Sequence, residues 1–206
     1  MQKKIQIIHF VNLVCWEDLL IIMKKDPIKK NYFQKFYCDT LSLKILSYLF
    51  GKNIFRFNGP TALKEVKKKG DIQYLVAKPM SFSATVLPNL SKKELLEKFI
   101  NSFVIEKSNI IIGISSPKQN FLALEIAKKN DTNTNTKIWC FGAAIYNQNN
   151  LALSRLRLLS FFLSNPLRVI KKLFLTIKEI VRIIFFKRKD FKEFCSYIEK
   201  SNKMKS

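Results

Sequence analysis

The feature of this sequence that most constrains its fold is a set of short apolar runs in which polar and apolar residues do not alternate. Three such runs, at 4–13, 109–114 and 138–144, are rich in β-branched or aromatic residues. Strands that are buried on both faces, as in a parallel sheet covered by helices, have this pattern. We therefore predict buried strands at these three places, and two shorter strands at 53–57 and 72–77.

Helical patterns separate the predicted strands. Apolar residues recur at steps of three and four, and Gly, Pro or a capping residue marks most of the segment ends. A capping box of Ser91 and Glu94, for example, predicts the start of one helix. Strands that alternate with helices indicate an α/β domain with a largely parallel, Rossmann-like sheet, which we assign to residues 1–150. The predicted helices span 16–25, 40–50, 61–69, 91–103 and 118–129.

Residues 151–206, called the basic appendage below, show no strand pattern. They contain 14 Lys and Arg against 4 Asp and Glu, with apolar residues at helical spacing between the charges. Two placements are open for the amphipathic helix at 173–205. It lies in the interface of an anionic membrane, or it packs on its own domain or on a neighbouring subunit. No run predicts a membrane span, because a spanning helix needs about twenty apolar residues. The apolar positions of this pattern are Leu167, Ile170, Phe174, Ile177, Val181 and Ile184.

The whole chain is strongly basic, with 37 Lys and Arg against 15 Asp and Glu among its 206 residues. Such an excess attracts polyanions, whether nucleic acid, anionic lipid or a phosphorylated substrate. The aromatic residues lie within apolar runs rather than among the basic residues, and no helix-turn-helix, zinc-finger or RRM signature is present. A nucleic-acid-binding protein is therefore the less favoured interpretation, and we expect no nucleic-acid partner.

The cysteines and the single histidine limit the chemistry. The four cysteines stand at 15, 38, 140 and 195, too far apart for a CxxC redox or zinc site, and are expected to be reduced and mostly buried in a cytoplasmic protein. His9, the only histidine, lies in the apolar run IQIIHFV, which favours a core position over a catalytic one. A histidine-dependent triad and a multi-histidine metal site are thereby disfavoured, and we expect neither a metal nor a cofactor.

The segment 113–119, with the sequence GISSPKQ, carries the strongest chemical signal. An apolar strand ends there, and a Ser-Ser-Pro turn brings Lys118 and Gln119 to the first turn of a helix. Ligands bind at the carboxyl ends of parallel strands, and a helix start at that edge attracts phosphate oxygens. The segment is therefore compatible with a turn that binds phosphate, with Gln119 in reach of a sugar or a nucleobase. Taken alone, the residues favour the alternative, an ordinary connection from strand to helix.

The sequence GISSPKQN resembles the signature GLGSPKQE of the WecG/TagA/CpsF family of inverting glycosyltransferases. Four other segments resemble that family in its own order, and together the five cover about residues 9–173. Asp39 lies in the first of the four, and Arg56 and Gly59 lie in the second. The four segments read YCDTLSLKILSYLFGK, FRFNGPTAL, IWCFGAA and LLSFFLSNPLRVIKKLF.

This resemblance implies transfer of an N-acetylhexosamine-type sugar from a UDP-sugar donor to a polyprenyl-diphosphate-linked acceptor. It further implies inversion without a bound metal, at the anionic inner face of the cell membrane, and leaves a homo-oligomer open. Asp39 would be the catalytic base and Gln119 an active-site residue, while Arg168 and Lys171 would neutralise the diphosphate. Asp39 equally suits the N-cap of the helix that follows it, and the two cations equally suit a solvated helix face. The other substrate-binding candidates are Asn12, Arg56, Gly59, Ser116 and Lys118.

Several positions depart from the family pattern. Thr40 and Ser42 replace two glycines, Asn120 replaces a glutamate, and Phe161 replaces an arginine of the basic appendage. Loss of the glycines removes a close backbone approach to the ligand, and loss of the arginine removes a cation. These departures leave a second interpretation open, in which the chain is a catalytically degenerate relative that acts as a membrane-associated assembly partner.

Overall fold

The fold is described by a computed structural model that covers residues 5–25, 32–57, 59–88, 93–130, 135–142, 145 and 166–203. Within these residues six strands form one sheet in the order β2-β1-β6-β5-β3-β4, and every neighbouring pair is parallel. Helices connect the strands, so the chain has the α/β, Rossmann-like architecture that its sequence predicts. The strands are β1 (Ile5–Val11), β2 (Tyr32–Cys38), β3 (Ile72–Val76), β4 (Thr85–Val86), β5 (Asn109–Gly113) and β6 (Lys137–Cys140).

Helices cover both faces of the sheet. In the described residues they are α1 (Trp16–Lys25), α2 (Leu41–Leu49), α3 (Gly59–Lys69), α4 (Lys93–Ser102), α5 (Lys118–Lys129), α6 (Pro166–Phe185) and α7 (Arg188–Lys203), and a 3₁₀ helix (Leu13–Cys15) follows β1. Successive side chains of a strand point to opposite faces. Ile7 and Val11 therefore pack in one apolar cluster with α1 and α5, whereas Ile8 and Phe10 pack in a second cluster with α3. Burial on both faces explains why β1 is apolar almost throughout.

Helix α7 is part of the core. Phe191, Phe194 and Ile198 are fully buried in the same apolar cluster as α1. The rings of Phe191 and Phe194 meet the indole of Trp16 edge to face, with ring centroids 5.3 and 5.7 Å away. Of the two placements open to the basic appendage, packing on its own domain is therefore the one that α7 adopts.

The end of α7 also covers the outer edge of the sheet, where β2 lies. Asn202 Nδ2 donates to the carbonyl oxygen of Phe36 at 2.9 Å, and Ser201 Oγ accepts from the amide of Phe36 at 3.4 Å. An edge strand otherwise presents unpaired backbone groups to other chains. These two side chains pair the outward backbone groups of one edge residue, so α7 closes part of that edge.

Helix α6 is joined to the core near its C-terminal end. Ile183 is fully buried, Trp16 Nε1 donates to Glu179 Oε1 at 2.7 Å, and Arg182 pairs with Glu17. Many other apolar side chains of α6 are exposed. Among the described residues, no helix is both long enough and apolar enough to cross a membrane. The exposed apolar side chains of α6 are Leu167, Ile170, Leu173, Phe174, Leu175, Ile177, Val181, Ile184 and Phe185.

The predicted strand at 53–57 is wrong. Within it only Arg56 pairs with a strand residue, Cys38, as an isolated bridge beside the end of β2. Conversely, β2 and the short β4 lie outside the predicted strands. In β2 the buried face carries Gln34 while Phe33 and Tyr37 lie on the more open face, so the usual alternation is hidden. Ser91 and residues 143–144 lie outside the described residues.

Candidate functional site

The carboxyl ends of four parallel strands bring most of the predicted site residues to one edge of the sheet. β1 ends before Asn12 and β2 ends before Asp39. β5 ends shortly before Ser116, and β6 ends shortly before Gly142. A backbone bond of 2.9 Å from the amide of Asp39 to the carbonyl oxygen of Val11 joins the first two strand ends. This edge is the one at which open parallel sheets bind their ligands.

Asp39 is held by the start of α3. Its Oδ1 accepts a hydrogen bond of 2.8 Å from the amide of Gly59, the first residue of that helix. Gly59 is buried, and a Cβ there would lie 3.6 Å from Asp39 Oδ1 and 3.7 Å from Cδ1 of Phe141. Asp39 does not cap the helix that follows it in sequence, because Thr40 Oγ1 accepts from the amide of Leu43. Its carboxylate therefore links the end of β2 to a distant helix start.

Gln119 links the end of β5 to the end of β6. Its side chain is buried, and its Oε1 accepts a hydrogen bond of 2.6 Å from the amide of Gly142. Gly142 has a φ of +59°, a conformation that favours glycine, and a Cβ there would lie 3.5 Å from the carbonyl oxygen of Ile114. The side-chain oxygen of Gln119 is thus engaged by the backbone, and it holds the segment after β6 next to the start of α5.

The turn between β5 and α5 places the cation of Lys118 at the start of the helix. Its Ser116–Pro117 peptide bond is cis, and Pro117 precedes the first helical residue. The amide of Gln119 donates to Ser115 O at 3.3 Å, and the amide of Phe121 donates to Pro117 O at 3.2 Å. Lys118 is exposed at the first position of α5. Since these amides are already paired within the turn, the ammonium of Lys118 is the group best placed to meet a phosphate.

A chain of buried polar side chains leads from this turn into the core. Ser116 Oγ donates to Asn120 Oδ1 at 2.7 Å, Asn120 Nδ2 lies 2.7 Å from His9 Nδ1, and His9 Nε2 lies 2.9 Å from Gln34 Oε1. The fully buried imidazole also stacks on Phe36. Burial lowers the pKa of His9 to about 4, and the hydrogen bond with Gln34 opposes that shift. His9 is therefore a neutral core residue, as predicted.

This polar chain is what sequence reasoning missed. The signal for it was the presence of two polar residues, His9 and Gln34, in strands whose other side chains on the same face are Ile5, Ile7 and Val11 or Tyr32, Phe36 and Cys38. Buried polar groups are almost always paired, so two of them in neighbouring strands point to a shared network. Their register confirms the geometry, because His9 of β1 lies opposite Phe36, two residues from Gln34 on the same face of β2.

The remaining candidates differ in how close they come to the edge. Asn12 caps the 3₁₀ helix after β1, and its Oδ1 accepts from the amides of Val14 and Cys15 at 3.0 and 3.2 Å. Arg56 is exposed beside the end of β2. Lys171 is exposed on α6, whose main contacts are with that 3₁₀ helix and with α7. Arg168 belongs to α6, and its side chain lies outside the described residues.

All four cysteines are buried and free, as predicted from their spacing. Burial raises the pKa of Cys38 to about 11 and that of Cys195 to about 12, and it raises the pKa of Cys140 further. Burial also raises the pKa of Cys15, against a smaller opposing hydrogen bond with Ser116. These thiols are poor nucleophiles. Among the described residues, no three His, Cys, Asp or Glu side chains group in a way that could hold a metal ion.

No protein-family model, no curated protein and no solved structure matches this chain. The chemistry of the edge is therefore the basis for a function. The carboxylate of Asp39, held by the start of α3, can accept a proton from a hydroxyl group. The ammonium of Lys118 lies at the start of α5. Asp39 and Lys118 together suit the transfer of a group from a phosphorylated donor to a hydroxyl acceptor.

Proposed function

We propose that this chain is an inverting, metal-independent glycosyltransferase. It transfers an N-acetylhexosamine-type sugar from a UDP-sugar to a polyprenyl-diphosphate-linked acceptor, in the synthesis of a surface polysaccharide or a cell-wall polymer. The observation that carries the proposal is the position of Asp39 and of the turn bearing Lys118 and Gln119. They lie at the same carboxyl edge of one parallel sheet. Gly59 donates to Asp39, and a Cβ added at Gly59 would lie 3.7 Å from Phe141, the residue after β6.

Asp39 acts as the general base in this proposal. Its carboxylate takes the proton of the acceptor hydroxyl while the acceptor oxygen forms a bond to the anomeric carbon. The bond between that carbon and the diphosphate oxygen breaks, and UDP leaves with the electron pair. The hydrogen bond from Gly59 fixes the orientation of the carboxylate, and the start of α3 stabilises its negative charge.

Cations of the chain stabilise the departing diphosphate. Lys118 is exposed at the start of α5, and Arg56 is exposed beside the end of β2, so both are available to an anion at this edge. In the proposed complex Arg168 and Lys171 of the basic appendage add two further charges. Positioned cations stabilise the charge that develops on a leaving group, which is the role that a metal has in other transferases.

The acceptor reaches this edge from an anionic membrane surface. Helix α6 packs beside the 3₁₀ helix that follows β1, and its apolar side chains are exposed among basic residues such as Lys171 and Lys178. An amphipathic helix of this kind binds the interface of an anionic leaflet with its apolar face inward. In this proposal the enzyme is a peripheral membrane protein, and the family resemblance is the basis for assigning it to the inner face of the cell membrane.

Release of UDP tests the proposal. The full chain is incubated with UDP-N-acetylglucosamine or UDP-N-acetylmannosamine and a polyprenyl-diphosphate-linked N-acetylglucosamine. We expect UDP release that depends on the acceptor and that falls at least about a hundredfold in Asp39→Ala. Glu125→Gln, which removes an exposed carboxylate of α5, is the matched control and should leave the rate unchanged. Release that is insensitive to the change at Asp39 would exclude it as the base.

A second candidate is a catalytically degenerate relative that acts as a membrane-associated assembly partner for other glycan enzymes. The observation in its favour is that Asp39 and Gln119 each give a side-chain oxygen to a backbone amide, of Gly59 and Gly142 respectively. Those bonds give both residues a structural role that needs no turnover. Lipid binding without release of UDP from either donor would support this candidate over the enzyme.

A further inference from the structure

We propose that His9 is a positioning residue for sugar recognition. Acting through Asn120, it fixes the hydroxyl of Ser116 so that the oxygen, and not the proton, faces the substrate. Ser116 then accepts a hydrogen bond from a hydroxyl or N-acetyl N–H group of the sugar. This inference rests on the proposed glycosyltransferase function, and it assigns the His9–Asn120 pair a part in that function.

The two hydrogen-bond partners of His9 determine which of its nitrogens carries the proton. His9 is fully buried, and both its nitrogens have polar partners: Asn120 Nδ2 at 2.7 Å from Nδ1, and Gln34 Oε1 at 2.9 Å from Nε2. A neutral imidazole has one donor and one acceptor. The amide nitrogen of Asn120 is a donor, so Nδ1 must accept from it. The proton is then on Nε2, and it is donated to Gln34.

The tautomer of His9 also determines which group donates in the hydrogen bond between Asn120 and Ser116. Once Asn120 donates through Nδ2, its Oδ1 is the acceptor that points to Ser116, 2.7 Å away. The hydroxyl proton of Ser116 is therefore used inside the protein. Reversal would require the side chains of Gln34 and Asn120 to turn over together with a change of tautomer at His9, because each bond fixes the next. The direction at the turn is thus set by a residue in the core.

The direction of these hydrogen bonds determines which ligand groups Ser116 can bind. Ser116 also has a hydrogen-bond contact with the Cys15 thiol. With its proton committed to Asn120, the hydroxyl keeps one lone pair that can accept a hydrogen bond from a donor group of the ligand. Phosphate oxygens are acceptors only, so they are a poor match for this serine. Sugar hydroxyls and the N-acetyl N–H are donors. Ser116 therefore contacts the sugar, whereas the diphosphate is bound by the ammonium of Lys118, two residues further along at the start of α5.

The experiment first examines the protein alone. Because His9 is the only histidine of the chain, a long-range ¹H–¹⁵N correlation spectrum of the uniformly labelled protein contains a single imidazole. We expect Nε2 to carry the proton and Nδ1 to have the shift of an acceptor nitrogen, at pH 7. A proton on Nδ1 would overturn the inference whatever the protein binds.

The second arm measures binding of UDP and of UDP-N-acetylglucosamine to the same protein and to Ser116→Ala. We expect the variant to bind the nucleotide sugar about tenfold more weakly and to bind UDP with unchanged affinity, since one hydrogen bond to the sugar is lost. Equal weakening for both ligands would place Ser116 on the nucleotide part and would overturn the sugar contact.

The third arm changes His9 itself. His9→Asn keeps an acceptor oxygen for Asn120, whereas His9→Phe keeps only the ring that stacks on Phe36. We expect His9→Phe to weaken binding of UDP-N-acetylglucosamine about tenfold, and His9→Asn to recover most of that loss. Ser47→Ala, which removes another buried hydroxyl, is the control for a general loss of stability. Equal affinities of the two His9 variants for UDP-N-acetylglucosamine would show that His9 has only a structural role.

The outcomes separate this inference from the proposed function. If neither UDP nor UDP-N-acetylglucosamine binds while His9 is protonated on Nε2, the glycosyltransferase proposal and the sugar contact both fail, and the direction of the polar chain stands. If the nucleotide sugar binds and Ser116→Ala has no effect on it, the glycosyltransferase proposal survives and the role of His9 fails.

Discussion

Asp39 Oδ1 and the backbone amide of Gly59 lie 2.8 Å apart and form a hydrogen bond across 20 residues of sequence. The carboxylate that we propose as the base is thus also the group that satisfies the start of α3. A substitution at this position acts on both tasks at once. Separating them requires two variants, one of which keeps an acceptor oxygen.

Asp39→Asn should remove activity while keeping the fold. The asparagine oxygen still accepts from Gly59, so we expect a free energy of unfolding close to that of the wild type and UDP release reduced at least about a hundredfold. Asp39→Ala should lose the same activity and a further ~1 kcal/mol of stability, the usual cost of a lost helix cap. Urea unfolding and UDP release measure the two effects. Equal stability of both variants would show that the bond to Gly59 contributes nothing to the fold.

Gln119→Leu should destabilise the carboxyl edge of the sheet. The amide of Gly142 would lose its 2.6 Å partner in a buried place, which costs about 1–3 kcal/mol. Gln119→Glu keeps an oxygen acceptor and should lose less. The comparison is made by urea unfolding at pH 7. A glutamate variant that is less stable than the leucine variant would contradict a role for Gln119 as acceptor for Gly142.

Acid should destabilise the protein through His9. The unfolded imidazole titrates near 6.5 and the buried one near 4, so the unfolded chain takes up this proton first as the pH falls. Stability from the neutral ring is complete above about pH 6.5 and is lost as the pH falls towards 4, by about 3 kcal/mol in all. The difference in unfolding free energy between wild type and His9→Phe should therefore shrink between pH 7 and pH 4. A constant difference would show that His9 does not resist protonation.

Truncation of a core phenylalanine in α7 should unfold much of the protein. Phe194 is fully buried, and Phe194→Ala is expected to cost about 3–5 kcal/mol. Phe186→Ala is the matched control, since that ring is 81% exposed and its loss should change stability by no more than about 0.5 kcal/mol. Thermal and urea unfolding report both values. Similar small effects for the two variants would mean that α7 is dispensable for the domain.

Acidic substitutions on the exposed face of α6 should weaken membrane binding. Leu173→Asp combined with Phe174→Asp replaces two exposed apolar side chains, and we expect binding to phosphatidylglycerol vesicles to fall more than tenfold. Val104→Asp adds an acidic residue at another exposed apolar position and serves as the control. Co-sedimentation at two salt concentrations gives the measurement. Undiminished binding of the double variant would place the membrane contact elsewhere.

The sequence predicts the parts of this fold that depend on local pattern. The apolar runs around Ile7 and Ile111 identify central strands because both of their faces are buried. The same pattern does not identify β2 as a strand, because Gln34 on its buried face is polar. Its partner His9 lies 25 residues away, and no local pattern shows that pairing. The strand conformation of β2 therefore depends on long-range pairing with β1 more than on the intrinsic strand preference of its residues.

The candidate site shows the same division. The position of Lys118 at the start of α5 follows from the strand–turn–helix pattern. The partners of Asp39 and Gln119 do not, because Gly59 and Gly142 are backbone donors brought in by the sheet topology. Sequence reasoning therefore identifies which side chains reach the edge, and the fold determines which of their atoms are already engaged.

The closure of the sheet edge by α7 has a consequence during synthesis of the chain. Asn202 and its partner Phe36 are 166 residues apart, so the outer side of β2 stays uncovered while the residues between them are translated. At ordinary elongation rates that interval lasts roughly ten to thirty seconds. During this time the outer edge of β2 is not covered by α7, and other nascent chains on the same mRNA can approach it. The order of the elements along the chain thus leaves this edge without its cover from α7 until the last part of the chain has been made.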